Sequence, residues 1–103
     1  MNLTDAVINH FAVSGKTWPD VWRALAFVHT ELAEVYELLL ARDGGWQRNH
    51  AHEQFSPDRL AEELGDVLMM VLVAGIVAEV DPVVALLQKI APDLEHREGT
   101  CEK

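Results

Sequence analysis

The chain has 103 residues, half of them hydrophobic, and a formal net charge of −9. This length fits one domain, which we assign to residues 1–92, ahead of a C-terminal tail at 93–103 that we expect to be flexible. The negative charge would repel a phosphate backbone, so duplex nucleic acid is not an expected partner.

The apolar run at 67–78 is shorter than the roughly 20 residues of a membrane span, and no secretory signal surrounds Asp5. A cytoplasmic protein without a membrane partner is predicted.

The first two predicted helices occupy the N-terminal half of the chain. Thr4 is a helix-capping residue type, so the first helix is expected from Thr4 to about Val13, with Phe11 on its apolar side. Gly15 ends this helix. Pro19 suits the first turn of the second helix, because its fixed φ angle is already helical.

The second helix carries apolar residues at alternating steps of four and three, a pattern typical of a helix that packs along one face. Asp43 and the two glycines after it end the helix. The polar segment that follows, up to Phe55, is interpreted as a long loop. The apolar stripe of this helix consists of Val21, Leu25, Val28, Leu32, Val35 and Leu39.

Two further helices are predicted from repeated start signals. The pair Ser56–Pro57 combines a capping residue with a proline at the first helical position, and this third helix runs to about Glu79. The pair Asp81–Pro82 starts a short fourth helix, whose regular part is expected to end near Pro92. The sequence has no alternation typical of strands. The predicted fold class is therefore all-α, with four helices.

Pairs of acids occur three residues apart on the second and third helices: Glu31 with Glu34, and Glu63 with Asp66. Residues at this spacing have neighbouring side chains, so each pair is a self-repelling double charge. The side of the third helix that carries Glu63 and Asp66 continues as Met70 and further apolar residues. Solvated acids are the ordinary alternative. Four carboxylates in a partly apolar setting would instead suit Mg²⁺ or Mn²⁺, which prefer oxygen ligands.

The segments HTELAEVYELL and EELGDVLMMVL resemble the MazG-like members of the all-α nucleoside triphosphate pyrophosphatase superfamily, whose motifs are ExxE and then ExxD. The resemblance covers about residues 18–90, and the 28 residues between Glu34 and Glu63 are at the long edge of the family's range. It implies that Glu31, Glu34, Glu63 and Asp66 bind Mg²⁺. It also implies cleavage of a (d)NTP to a (d)NMP and pyrophosphate, as in nucleotide-pool house-cleaning. Glu34 is the expected catalytic residue, orienting or deprotonating the attacking water.

The resemblance also implies a four-helix MazG-like bundle completed by oligomerisation, as a homodimer or homotetramer. The nearly all-round apolar run at 67–78 independently favours such an assembly. Lys89 resembles a basic position that contacts phosphates in relatives, although a solvated lysine fits equally well. Trp18 and Trp22 are candidates for stacking on a base, or else core residues. The role of His29 is left open.

Two alternatives accompany this interpretation. A phosphoribosyl-ATP pyrophosphohydrolase has a similar size and helix order, but the lysine-rich approach to its first acidic motif is missing here. A non-catalytic helical interaction module would keep the acids only as a metal-stabilised seam between helices. Pyrophosphate release from nucleotides separates an enzyme from such a module.

Overall fold

The computed structural model describes residues 2–44 and 55–101, and these residues form four α-helices without strands, which confirms the all-α prediction. The predicted loop residues 45–54 lie outside the described residues, as do 102 and 103 of the predicted tail. In chain order the helices are α1 (Leu3–Ser14), α2 (Val21–Arg42), α3 (Pro57–Val77) and α4 (Pro82–Cys101).

The first two helices start at residues other than those predicted. The side-chain oxygen of Asn2 accepts a hydrogen bond of 2.8 Å from the backbone N–H of Asp5, so Asn2 caps α1 and the prediction of Thr4 as the cap is wrong. The cap of α2 is Asp20, which leaves Pro19 outside the helix. In both places an Asn or Asp supplies the oxygen that the free N–H groups of a first turn require.

The predicted starts of α3 and α4 are confirmed. The Ser56 hydroxyl accepts from the backbone N–H of Arg59 at 3.1 Å, and Pro57 is the first residue of α3. One carboxylate oxygen of Asp81 accepts from the N–H groups of Val83 and Val84 at 2.9 and 3.1 Å. Each of these caps contributes about 1 kcal/mol to helix stability.

The fourth helix is longer than predicted, because it continues through Pro92 to Cys101. A proline inside a helix removes one backbone hydrogen bond and clashes with the preceding turn, which favours a kink as well as an end. Residues 93–98 are mostly good helix formers in the sequence, and good helix formers favour continuation after such a break.

A close turn joins α3 to α4 and bends the chain by 109° between α3 and Pro82–Pro92. Glu79 adopts a left-handed backbone with φ of 60°, and the N–H of Val80 bonds the Gly75 carbonyl at 2.9 Å, the pattern of a Schellman cap. A Cβ atom on Gly75 would lie 2.6 Å from Cδ of Pro82, so this approach requires glycine.

No single helix within the described residues has the length and apolar character to span a membrane, although α3 and Pro82–Pro92 meet that test together across the bend.

The main packing contact is between α2 and α3, with smaller contacts from α3 to α1 and α4. The face of α2 that packs inwards is centred on Ala24, Val35 and Leu38, all of which are buried. The predicted stripe is therefore only partly the core face, because Leu25 and Leu32 are 45% and 39% exposed. Small Ala24 allows α2 to approach closely on this side. The main buried cluster consists of Val7, Phe11, Ala24, Leu72, Val73 and Ala74.

Large apolar side chains remain exposed on the opposite side of α2. They form what we call the outer stripe, namely Trp22, Leu25, Leu32 and Tyr36, of which Trp22 and Tyr36 are 79% and 64% exposed. The Cα radius of gyration is 17.6 Å, against about 13 Å for a compact domain of 100 residues. A single chain therefore leaves much of its apolar surface uncovered.

Candidate metal centre and adjoining pocket

Glu31 lies on the inward face of α2 although it is charged. It is seven residues from both Ala24 and Leu38, and seven residues make nearly two full helical turns. The three side chains therefore share one side of the helix, where Ala24 and Leu38 are buried and Glu31 is half-buried. Packing of this face against α3 directs the Glu31 carboxylate towards the other helix.

Two acids of α3 meet Glu31 at this contact. The side chain of Glu63 is only 14% exposed, whereas Asp66, one turn further along, is exposed at the edge. One carboxylate oxygen from each of Glu31, Glu63 and Asp66 lies within 4.8 Å of the other two. We call these three residues the acidic cluster. They are three of the four acids that the sequence predicts to share a site.

The fourth predicted acid, Glu34, is exposed and lies beside this group. Its side chain is near enough to that of Glu63 to raise the pKa of the Glu63 carboxyl. Glu34 is three residues from Glu31 and so lies on an adjacent strip of the α2 surface. The structure thus places exposed Glu34 near Glu63 but outside the acidic cluster itself.

Glu63 is the most perturbed of these acids. Its burial raises the pKa of the carboxyl, the contact with Glu34 and the negative charge of Asp66 raise it further, and Arg59 partly opposes the effect. The nearest approach of Arg59 is 3.7 Å, between its guanidinium and Oε1 of Glu63. Oε2 of Glu63 is buried and has no hydrogen-bond partner among the described residues. A buried acceptor without a partner is costly.

The arrangement fits a divalent cation on chemical grounds. The donors are carboxylate oxygens, the ligands that Mg²⁺ and Mn²⁺ prefer. They converge from two rigid helices, and buried Oε2 of Glu63 needs a positive or hydrogen-bonding partner. A cation would stabilise the ionised form of Glu63, which burial and neighbouring charges disfavour.

A pocket opens directly beside the acidic cluster, with a volume of about 430 Å³. Glu31 belongs both to the pocket wall and to the cluster. The pocket and the acidic cluster therefore meet at Glu31. The residues that line it are Phe11, Lys16, Thr17, Pro19, Phe27, Glu31 and Met70.

The predicted substrate-binding residues lie at different distances from this pocket. Trp18 stacks on Phe11, with ring centroids 4.1 Å apart and an angle of 17°, so it supports the pocket wall from behind. Trp22 lies on the far side of α2 from Glu31, because nine residues at about 100° each make about two and a half turns. Lys89 is exposed on α4 and does not line the pocket. Substrate binding by Trp22 and Lys89 stays a prediction.

Sequence reasoning did not single out Lys16, Thr17 or Phe27 as site residues. Lys16 and Thr17 lie between α1 and α2, and only the packing of these helices with α3 brings them to the carboxylates. The available signal was Phe27, which precedes Glu31 by four residues and therefore shares its side of the helix.

Comparison with known proteins found no relative of this chain. The chain matches no protein-family model, no curated protein and no solved structure. The case for a function rests on the acidic cluster, the adjoining pocket and the two acidic motifs of the sequence.

Proposed function

We propose that the protein is a Mg²⁺-dependent nucleoside triphosphate pyrophosphohydrolase that converts a (d)NTP and water to a (d)NMP and pyrophosphate. The observation that carries this proposal is made at Glu63. Its buried Oε2 has no hydrogen-bond partner among the described residues, and burial together with neighbouring acids raises the pKa of its carboxyl. Such a carboxylate is tolerable in its ionised form when a cation binds it. The resemblance of both acidic segments to MazG-like enzymes supports the same conclusion.

The residues that would hold the ion are Glu31, Glu63 and Asp66, with Glu34 as a fourth ligand. Mg²⁺, or Mn²⁺ in its place, would neutralise charge on the phosphate oxygens of the nucleotide. The helices contribute preorganisation, because each ligand projects from a regular backbone that does not have to move on binding. Buried Glu63 anchors the set, and exposed Asp66 lies on the side from which a nucleotide can approach.

Glu34 is our candidate for handling the attacking water. It is exposed, and its closeness to Glu63 would put it beside the phosphates of a bound nucleotide, in reach of water. In the reaction, a water oxygen attacks the α-phosphorus, and the bond to the oxygen bridging the α- and β-phosphates breaks. Glu34 would orient this water or accept its proton, and pyrophosphate leaves with the bridging oxygen.

Substrate contacts extend from the acidic cluster into the adjoining pocket. Trp18 would act there through Phe11, because the two rings are stacked. Trp22 and Lys89 would contact nucleotide only where a second chain brings them to the site, since both project from other parts of the surface. Nucleotide-pool house-cleaning is the cellular role that this activity supports best.

We further propose a MazG-like bundle completed by a second copy of the chain, as a homodimer or homotetramer. The outer stripe supports this, because its large apolar residues are exposed on one helix. A soluble monomer rarely leaves such a continuous apolar surface open to water. The angle of α4 to α3 leaves further apolar side chains uncovered, among them Leu86 and Leu87, at 55% and 54% exposure.

The experiment is to incubate purified protein with a panel of NTPs, dNTPs and phosphoribosyl-ATP, with Mg²⁺ or with EDTA. Products are separated by chromatography, and pyrophosphate is measured. We expect a monophosphate and pyrophosphate in equal amounts, only with Mg²⁺. Cleavage of phosphoribosyl-ATP alone would favour the related enzyme of that specificity.

A second candidate is a non-catalytic interaction module in which the acids form a metal-stabilised seam. The exposed outer stripe favours this candidate too, because it offers a partner a continuous apolar surface. The same assay separates the two functions. Metal binding without pyrophosphate release from any nucleotide would support the module and contradict the enzyme.

A further inference from the structure

One cation borders the pocket and has no task in the hydrolysis described above. The Lys16 ammonium lies 5.8 Å from the centroid of the Phe11 ring, within the range of a cation–π contact. None of the ion pairs formed between described residues involves Lys16. Its N–H donors therefore border the pocket without a carboxylate partner in the described part of the chain.

The remaining walls of the pocket favour a flat ring. Phe11 and Phe27 contribute aromatic surface, Met70 contributes a flexible apolar side chain, and Thr17 adds a hydroxyl that both donates and accepts. The volume of about 430 Å³ lies in the range of small-molecule sites, about 300–1,000 Å³. An apolar pocket with a few polar groups at its edge is the usual form of such a site.

The pocket's position relative to the carboxylates sets which part of a ligand it can hold. Glu31 is common to both, so one molecule of sufficient length could fill the pocket with one end and reach the acidic cluster with the other. The triphosphate group of a nucleotide would lie at the acidic cluster, because a cation bound there can offset its negative charge. The uncharged end of the same molecule is then next to Phe11, Phe27 and Lys16.

We infer that this pocket holds the heteroaromatic base of the nucleotide, and that Lys16 is a substrate-binding residue that donates a hydrogen bond to the base. A lysine has donors only, so its partner is a carbonyl oxygen or an unprotonated ring nitrogen. That the ligand is a nucleotide rests on the proposed function. Binding of the base requires neither the cation nor the phosphates.

The methionines allow this to be tested by NMR, since the chain contains only three of them. Met70 lines the pocket, whereas Met69 lines a separate apolar groove with Val7 and Leu72. With ¹³C-methyl-labelled methionine and EDTA present, a panel of nucleosides without phosphate is titrated into the protein. We expect at least one nucleoside to shift the Met70 methyl signal and leave that of Met69 in place.

The role of Lys16 is tested by Lys16→Met, which keeps the length of the side chain and removes its charge. We expect the dissociation constant of that nucleoside to rise about tenfold, the loss typical of a hydrogen bond to a charged group. The matched control is Arg23→Met, which removes a cation whose side chain is 78% exposed and leaves binding unchanged. Inorganic pyrophosphate is titrated in a parallel series with Mg²⁺ in place of EDTA, because its charge requires the cation, and it should bind both variants equally.

The outcomes separate this inference from the proposed hydrolysis. A Met70 shift without any nucleotide cleavage would leave the base pocket standing and remove the hydrolysis. Cleavage without a Met70 shift, or with equal shifts at Met69 and Met70, would overturn the base pocket. Lys16→Met could also weaken pyrophosphate binding as much as it weakens nucleoside binding. That result would assign Lys16 to the phosphates and overturn its role at the base.

Discussion

The two sides of α2 reverse the usual relation between polarity and burial. On the side facing α3, the charged residue Glu31 is half-buried among apolar neighbours, and it meets Glu63, whose Oε2 has no partner in the described structure. On the other side, Trp22 and Tyr36 of the outer stripe are exposed to water. Each side is unfavourable in a single chain without ligands. The difference is in what would relieve it: in our proposal a cation does so on the inner side, and an apolar surface does so on the outer side.

This comparison separates two kinds of incomplete surface on one helix. An ion can occupy the inner side while the chain remains a single copy, and the second copy can cover the outer side without changing the acidic cluster. Changes on one side should therefore leave the property of the other side largely intact.

The largest expected effect is on the inner side. Glu63→Gln removes the buried charge that would anchor the proposed cation, and we expect pyrophosphate release to fall by about 100-fold or more. Glu62→Gln is the matched control, since Glu62 is the neighbouring acid and is exposed. Circular dichroism should show that both variants keep the helical content of the parent protein. Equal activity in Glu63→Gln and Glu62→Gln would contradict the assignment of the acidic cluster.

The next effect concerns the outer side. Leu32→Asp places a charge in the outer stripe, and we expect the mass measured by light scattering to fall from that of an oligomer to that of one chain. Thr30→Asp, on the polar side of the same helix, should keep the oligomer. A parent protein that already has the mass of one chain at micromolar concentration would refute the proposed assembly.

Mg²⁺ should raise the thermal stability by several degrees. A ligand at ten times its dissociation constant stabilises the folded state by about 1.4 kcal/mol, which corresponds to about 5–10 °C for a domain of this size. The increase, measured by differential scanning fluorimetry, should be absent in Glu63→Gln and present in Leu32→Asp. If Glu63→Gln gained as much as the parent protein, the ion would bind elsewhere.

The smallest effect is the pH dependence of the metal-free protein. Because burial and neighbouring acids raise the pKa of Glu63 above its ordinary 4.5, the folded state binds the proton more tightly than the unfolded chain. This proton therefore stabilises the folded state. Its contribution to the free energy of unfolding is fully present below the ordinary pKa of the unfolded chain and is lost as the pH rises through the raised pKa of the folded state. Urea unfolding in EDTA at a series of pH values should show this loss in the parent protein relative to Glu63→Gln. A constant difference between the two across the series would contradict the raised pKa.

Local signals predicted most of the fold. The caps at Ser56 and Asp81 and the turn residue Gly15 each act within a few residues, so the sequence places the corresponding helix ends closely. The same holds for Glu63 and Asp66, whose three-residue spacing puts them on one side of any helix. The predicted helix end near Pro92 is wrong because a proline disfavours helix only locally, and residues after it can restore the helix.

The parts that could not be predicted depend on which surfaces meet. Leu25 and Leu32 belong to a regular apolar stripe, but the sequence does not distinguish a face that packs on α3 from one left open for a partner. The actual inner face uses Ala24, whose small size matters only once two helices approach. Lys16 likewise could not be predicted as a substrate-binding residue. It lies outside α2, and only the fold brings it to the pocket that Glu31 also lines.

The most direct test of the central claim is electron paramagnetic resonance of Mn²⁺ added to the metal-free protein. Free Mn²⁺ gives a sharp six-line signal that is lost on binding. We predict that the parent protein and Glu62→Gln reduce this signal equally, and that Glu63→Gln leaves it close to that of buffer. A signal reduced to the same extent by Glu63→Gln would show that the acidic cluster does not hold the ion.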